Sequence, residues 1–393
     1  MKPKERVLAT IRNEPIDRIP VCHLNFSGQA AELILGRKDV WVGGEHSQWV
    51  AMKKLWEGDD AYQEWLRRRE DDVVELQKAC GQDVLRIKFW PWTRKPTARV
   101  DEFTFLFGDP DGEWYTMTFD PVLELLTRRD GGSPDAALRA QGPPERDPDR
   151  DALQREVDDA ERLADDTPVA TEPDPALLEA IRRHPAYIIR HGHATVGADM
   201  RSATALMEMT LWPDLYARRL MAEARRIARA IIPQMHLSGL EVDMCGMDFC
   251  SRRAPCVAPA TFRRVVAPAL KAIVDECHRR GIYFFYGSDG NFWPVADDLF
   301  GDVGIDGWIE TYKSAGMDLE ALRDRYPNAT FQGNIQVQIV HTGSRDDVVS
   351  EVQECLDAAH KAGGVLLGVS NMIMPGTPPE NILAMLETIE KGR

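Results

Sequence analysis

Residues 281–294, GIYFFYGSDGNFWP, decide how the rest of the chain is read. Gly281 stops a helix, and Ile282 to Tyr286 form an unbroken run of β-branched and aromatic residues. A short run of that kind between glycines is the pattern of a strand covered on both faces. The polar break Gly287-Ser288-Asp289-Gly290-Asn291 then falls at its C-terminal end. In parallel α/β proteins, ligands and catalytic groups collect at that end of the strands. Asp289 is the most site-like residue of the stretch, and the glycines around it let backbone come close to a ligand. The competing reading is a plain strand-to-helix turn, with Asp289 or Asn291 capping the next helix.

Outward from this stretch, strand-like runs recur near residues 21, 84, 187, 241, 282, 305, 329 and 364, with helical segments between nearly all of them. Alternating β and α elements at this scale predict a parallel sheet with right-handed crossovers. Eight such units favour closure into a (β/α)8 TIM barrel over an open doubly wound sheet. The absence of a Gly-x-Gly-x-x-Gly or Walker-type loop also weighs against the open nucleotide-binding alternative. A short N-terminal helical extension precedes the first unit, at residues 3–13. Phe103, Phe105 and Phe107 alternate with polar residues before a Gly108-Asp109-Pro110-Asp111-Gly112 turn, so 97–130 reads as an inserted β-hairpin. Residues 131–150, polar and rich in Pro and Gly, read as a flexible loop, and the whole of 1–393 as a single domain. A helix is expected near 292–300. Ser344 with Asp347 is a capping pair for the helix from 345, and Thr377 with Pro378 and Glu380 predicts a capping box for the last helix.

Bulk composition narrows the function classes. A hydrophobic content of 44% and a charged content of 28% are ordinary for a globular protein. The formal net charge of −15 argues against non-specific nucleic-acid binding and against anionic membrane surfaces. The N-terminus lacks the apolar core of a signal peptide and no stretch approaches a membrane span, so a cytoplasmic protein is expected. Seven scattered cysteines without a Cys-x-x-Cys pair predict neither a disulfide framework nor a zinc ribbon.

Several stretches, in order over nearly the whole chain, resemble the uroporphyrinogen decarboxylase superfamily, which also contains cobalamin- and corrinoid-dependent methyltransferases. They are Glu5-Arg6-Val7-Leu8 with Pro15-Ile16-Asp17-Arg18-Ile19-Pro20-Val21, and Asp248 followed by Ala258-Pro259-Ala260-Thr261-Phe262 and Pro268. Ser288-Asp289-Gly290-Asn291 with Gly304-Ile305-Asp306-Gly307 follows, then Gly333-Asn334-Ile335, Gly363-Gly364 and Pro378-Pro379-Glu380-Asn381-Ile382. The resemblance implies a TIM barrel with the site in its mouth. Two departures restrict the chemistry. The decarboxylases grip substrate carboxylates with an arginine-rich motif after the first strand, where this chain reads Asn25-Phe26-Ser27-Gly28-Gln29. A tetrapyrrole with many carboxylates needs bidentate cations, so that substrate is disfavoured. The zinc methyltransferases resembling this chain use a His-x-Cys on strand five and a Cys after strand eight. Here those places read Tyr286-Gly287-Ser288 and Val369-Ser370-Asn371.

The candidate catalytic residues are Asp248, Asp289 and Glu310, each at the end of a predicted strand. Converging carboxylates can hold a metal, or one can act as acid while the other stays charged. Candidate substrate contacts are Asn25, Asn334, Asn371, Tyr312 and Trp293. His191 and His193 follow the strand near 187 and, with Cys250, form a candidate metal set for a divalent ion such as zinc without the usual cysteines. Cys22 reads as ordinary core. The leading expectation is a methyltransferase that works with a corrinoid on a partner protein, demethylating a small compound. A decarboxylase or lyase on a small carboxylic acid is the second, with Arg190 or Arg252 as its cation. A barrel that binds without catalysis is the third. A homo-oligomer is compatible with all three.

Overall fold

The computed structural model describes residues 1–393 apart from 41, 43, 88–91, 132–146, 193 and 198–201. Its centre is a curled five-stranded parallel sheet of Val365–Val369, Thr330–Ile335, Gly307–Thr311, Tyr283–Gly287 and Val242–Met244, in that spatial order. Helices connect these strands and cover the outer face, Ala267–Arg279 before Tyr283–Gly287 and Arg345–Ala362 before Val365–Val369 among them. Gly287 is needed for this packing, because a Cβ there would lie 2.1 Å from the Ile309 side chain on the next strand.

Beyond the Val365–Val369 edge the chain's first extended segment docks in parallel, with Cys22 N–H on Leu367 O and Leu367 N–H on Pro20 O. Val84–Leu85 and Ile188–Ile189 form a separate parallel pair, and Asn25–Phe26 pairs with Met372–Ile373. Asp83 N–H reaches Val21 O, which ties the first segment to the second. Among the described residues no ladder joins Ile188–Ile189 to Val242–Met244; the seam is crossed by Gly192 N–H on Asp243 Oδ1 and by Arg190 Nε–H on Met244 O. The fold is thus mixed α/β with a curled parallel sheet, and the expected eight-stranded barrel is met in part.

Strand alternation sorts the two faces. Cys22, Val84, Ile188, Val242, Met244, Phe285, Ile309 and Leu366 meet in one concave-side cluster with Val7, Leu8 and Ile11 of the helix Pro3–Ile11. Lys4 N–H on Ala186 O fixes that helix at the N-terminal end of the strands. It closes one end of the concave face and leaves the C-terminal end open. Arg6 on the same helix is buried and reaches Asp83, so Asp83 opens its strand and belongs to the closed end.

Other expectations change in detail. The hairpin at 97–130 is a four-stranded antiparallel sheet of Ala98–Arg99, Thr104–Gly108, Trp114–Asp120 and Leu125–Gly131. Its aromatic face packs on Trp49 and Met52 as a core of its own. The loop at 131–150 lies largely outside the described residues. The helix near 292–300 is present as a continuous helical segment that opens in a 3₁₀ turn Trp293–Val295, with Pro294 in its first turn, and ends in a π-helical turn Asp298–Val303. Ser344 and Asp347 form the expected capping box. Thr377 does not cap the last helix: that helix runs Pro379–Gly392 with Pro378 before it, and the Thr377 hydroxyl bonds Met374 O and His341 instead. No described helix is long and apolar enough to cross a membrane.

Candidate active site

The open end of the concave face carries the polar residues the fold cannot explain by packing. Glu310 closes the strand Gly307–Thr311 at a register shift between Trp308 and Thr311 and has φ +68°. A bulge of this kind re-aims a side chain. Ile309 faces the concave side, and regular alternation would send Glu310 outward; the bulge instead turns its carboxyl into contact with Asp289. Gln332 fixes the distortion. Its Oε1 accepts from Glu310 N–H at 3.0 Å, and its Nε2 donates to Cys22 O at 2.7 Å and Val369 O at 3.3 Å.

Asp289 stands after Tyr283–Gly287, and its Oδ2 accepts from Asn371 Nδ2 at 2.8 Å. Asp289 Oδ1 is buried and meets no N–H or hydroxyl donor among the described residues, which leaves it to a proton carried by a carboxyl. Ser288 beneath it accepts the N–H groups of Phe249 and Cys250, both at 3.0 Å, and so locks the loop after Val242–Met244 against this strand. Burial raises both Asp289 and Glu310 above their ordinary values, and the negative charge of Asp289 raises Glu310 further. Two carboxyl groups in hydrogen-bonding contact must share a proton. The extra donor from Asn371 favours charge on Asp289 and leaves the proton on Glu310.

The remaining sequence candidates fall at different distances from this pair. Asp248 is exposed and acts on both carboxyls through its charge alone. Asn334 is buried on the neighbouring strand, with φ +93° and an Oδ1 that meets no donor among the described residues. Tyr312 follows Glu310 and bonds Gln338 through its hydroxyl. Asn25 lies beside Met372, the residue after Asn371, and bonds its sulfur. Trp293 donates to Gly316 O and leans toward Tyr326, so no described contact joins it to the pair.

The metal set is not assembled among the described residues. No group of three or more His, Cys, Asp or Glu side chains there can hold an ion. Cys250 is buried with its thiol pushed up by desolvation, His191 is half-buried, and His193 lies outside the described residues. Cys22 is core, its thiol pushed up to about 11 by burial.

Sequence reasoning did not single out Arg86. Its strand-like run reads Asp83-Val84-Leu85-Arg86-Ile87, and an arginine at an inward position of an apolar run was the available signal. Leu85 and Ile189 are register partners, and Arg190 N–H bonds Leu85 O. Arg86 and Arg190 therefore sit side by side, one step beyond the concave-facing Val84 and Ile188. Burial and the positive charge of Arg190 push the Arg86 guanidinium down to about 9, and Glu310 opposes that shift. The open end is bipolar, with a carboxyl pair on one side and two guanidinium groups on the other.

The family model for uroporphyrinogen decarboxylase (URO-D) matches residues 194–392. No curated protein sequence matches the chain. Among solved structures, a methyltransferase from Methanosarcina mazei aligns over 100% of this chain and 99% of its own, at 17% identity and a TM-score of 0.58, a likeness of fold. A 3-keto-L-gulonate-6-phosphate decarboxylase from Vibrio cholerae aligns over 56% of this chain and 79% of its own, at 10% identity and a TM-score of 0.26, too low to bear on fold or function.

Proposed function

Because the chain belongs to the uroporphyrinogen decarboxylase family, we propose that it is an enzyme of the methyltransferase and decarboxylase kind that removes a methyl group from a small methylated compound. The observation that carries this reading is the meeting of the Asp289 and Glu310 carboxyls at the strand ends, both raised above their ordinary values by burial. A heteroatom that loses its methyl group gains negative charge and needs a proton. Glu310 supplies it, while Asn371 steadies the charge on Asp289. A reduced corrinoid on a partner protein would supply the methyl acceptor. The curled sheet reads here as the larger part of a closed (β/α)8 barrel, supported by the single concave cluster that draws on all eight strand regions except the seventh.

A specific observation also favours a second reading, a decarboxylase or lyase on a small carboxylic acid. Arg86 and Arg190 can hold a carboxylate beside an acid able to protonate the carbanion that carbon dioxide leaves behind. The two are separated by supplying the protein with free cob(I)alamin and a panel of methyl ethers and methylamines, then with small carboxylic acids. Methylation of the corrinoid, slowed about a hundredfold or more in Asp289→Asn and Glu310→Gln, is the expected result. Release of carbon dioxide without methyl transfer supports the second reading. Neither activity, or rates unchanged in both variants, removes the pair from any mechanism.

A further inference from the structure

We infer that Gln332 is the positioning residue of the site, a single amide that fixes Glu310 and Asn371 together and so holds the Asp289 and Glu310 carboxyls to one geometry. The inference rests on the reading of those carboxyls as the reacting pair, and it names what keeps them together. Gln332 faces the concave side, because its register partner Leu366 belongs to the concave cluster. It is buried, and its amide is engaged at both ends. Oε1 accepts from Glu310 N–H at 3.0 Å, and Nε2 donates to Cys22 O at 2.7 Å and to Val369 O at 3.3 Å. A backbone N–H can only donate and two carbonyls can only accept, so these partners fix which way the amide points.

The fold alone does not call for the bond to Glu310. In an unbroken parallel ladder each strand N–H meets a carbonyl of the neighbouring strand and needs no side chain. Here the register shifts between Trp308 and Thr311, and the Gln332 oxygen takes the Glu310 N–H instead. The second bond works on Asn371. Val369 O accepts from Gln332, while Val369 N–H donates to His23 Nδ1 at 3.3 Å. Ser370 N–H then donates to Ile335 O at 3.1 Å, and Asn371 Oδ1 accepts from Met372 N–H at 2.7 Å. The run Val369–Asn371 is held at each residue, and Asn371 Nδ2 is left aimed at Asp289 Oδ2, 2.8 Å away. The third bond joins both to the first extended segment, whose Cys22 N–H lies on Leu367 O. Gln332 thus acts on Glu310 through its backbone and on Asp289 through Asn371. Methionine has the same reach with no amide, so it would free the Glu310 N–H for the ladder and let its carboxyl turn from Asp289.

The test is a double-mutant cycle followed by urea denaturation at pH 5 and pH 8, which needs no substrate. A carboxyl held against Asp289 binds its proton more tightly in the folded chain, so Glu310→Gln should raise the midpoint at pH 8 and hardly move it at pH 5. In the Gln332→Met background that pH-dependent difference should close. A purely structural glutamine would lower every midpoint and leave the difference open. Gln332→Glu keeps an acceptor for the Glu310 N–H, and burial favours its neutral form, which offers a hydroxyl to one of the carbonyls. There the difference should persist. A difference as wide in Gln332→Met as in wild type, its loss in Gln332→Glu, or its absence from the wild type would each overturn the inference. If Gln332→Met does not fold, the Gln332→Glu arm decides together with amide exchange in the wild type. Glu310 N–H should exchange as slowly as that of Ile309, and faster exchange counts against the bond. Where methyl transfer to free cob(I)alamin is found, kcat in Gln332→Met should fall by about tenfold to a hundredfold with KM unchanged, the cost of a reacting group displaced by about 1 Å. An unchanged kcat would refute the role. A difference that closes in Gln332→Met of a protein that moves no methyl group would sink the proposed reaction and leave the positioning role standing.

Discussion

Replacing Glu310 with Gln is expected to stabilise the protein increasingly as pH rises while weakening its chemistry. Burial and the neighbouring Asp289 hold the Glu310 carboxyl well above its ordinary value of 4.5. The folded chain therefore binds this proton more tightly than the unfolded chain does. Its contribution to stability is fully present below the unfolded value and is lost as pH rises toward the folded one. The loss runs at about 1.4 kcal/mol per pH unit across the interval between the unfolded and the folded value. Solvent at half-buried Asp289 and the charge of Arg190 both narrow that interval. Glutamine has the same shape and does not titrate, and its amide can donate to Asp289 where the shared proton stood.

Urea denaturation of wild type and Glu310→Gln at pH 5 and pH 8 measures the effect. The midpoints should nearly coincide at pH 5, and the variant's should be the higher at pH 8. Turnover should fall by about a hundredfold or more at both, because the proton donor is gone. A variant less stable than wild type at pH 8, or one offset equally at both pH values, would refute the shared proton. Asp289→Asn probes the same pair from the other side: the fall in activity with rising pH should move to lower pH, since Glu310 loses the charge that raised it.

Three further substitutions test the parts that hold the site. Asn334→Gly relieves a left-handed backbone at a side chain whose oxygen meets no donor among the described residues, and thermal melts should show stability unchanged or raised by up to about 1 kcal/mol; a loss would mean that the amide serves the fold. Glu124 accepts the N–H groups of Gly28 and Gln29 at 2.7 and 2.8 Å, joining the inserted sheet to the helix Gly28–Leu35, and Glu124→Ala should cost about 1–2 kcal/mol. Faster amide exchange at Gly28 and Gln29 is its signature, and unchanged exchange would dismiss the clamp. Arg6→Met removes one of the two cations at the buried Asp83 carboxylate, leaving Arg393 at 3.5 Å, and should cost up to about 3–5 kcal/mol; a double-mutant cycle of Arg6→Met with Asp83→Asn that shows no coupling would contradict the pairing.

What the sequence showed of this molecule was what period and composition encode. The strand Tyr283–Gly287 was legible because a buried parallel strand is an apolar run, and Ser344 because capping is local chemistry. The helix expected at 292–300 was legible as a helical segment, but not its 3₁₀ and π turns, because apolar spacing does not distinguish their hydrogen bonds. Thr377 failed because its hydroxyl found His341 and Met374, partners that local capping rules do not contain. The bond between Asp289 and Asn371 spans 82 positions, and the level pairing of Arg86 with Arg190 depends on register, so neither leaves a mark in any short window.

The least legible feature is the one on which the proposed site most depends. Glu310 and Asn334 occupy left-handed backbone on adjacent strand ends, a conformation that costs a non-glycine residue about 1–2 kcal/mol. Glycine would relieve both positions, and an unbroken Gly307–Thr311 ladder would turn Glu310 to the outer face, away from Asp289. The chain instead distorts that strand and places a third buried acceptor, Gln332, to hold the distortion. All of this delivers one carboxyl to Asp289, opposite two arginines that repel each other. Backbone strain, like-charge repulsion and a donorless buried amide are each unfavourable to folding, and they converge on the single end of the sheet that the helix Pro3–Ile11 leaves open. Stability selects against each of them separately, and their coincidence is what the proposed binding and proton transfer at the open end would account for.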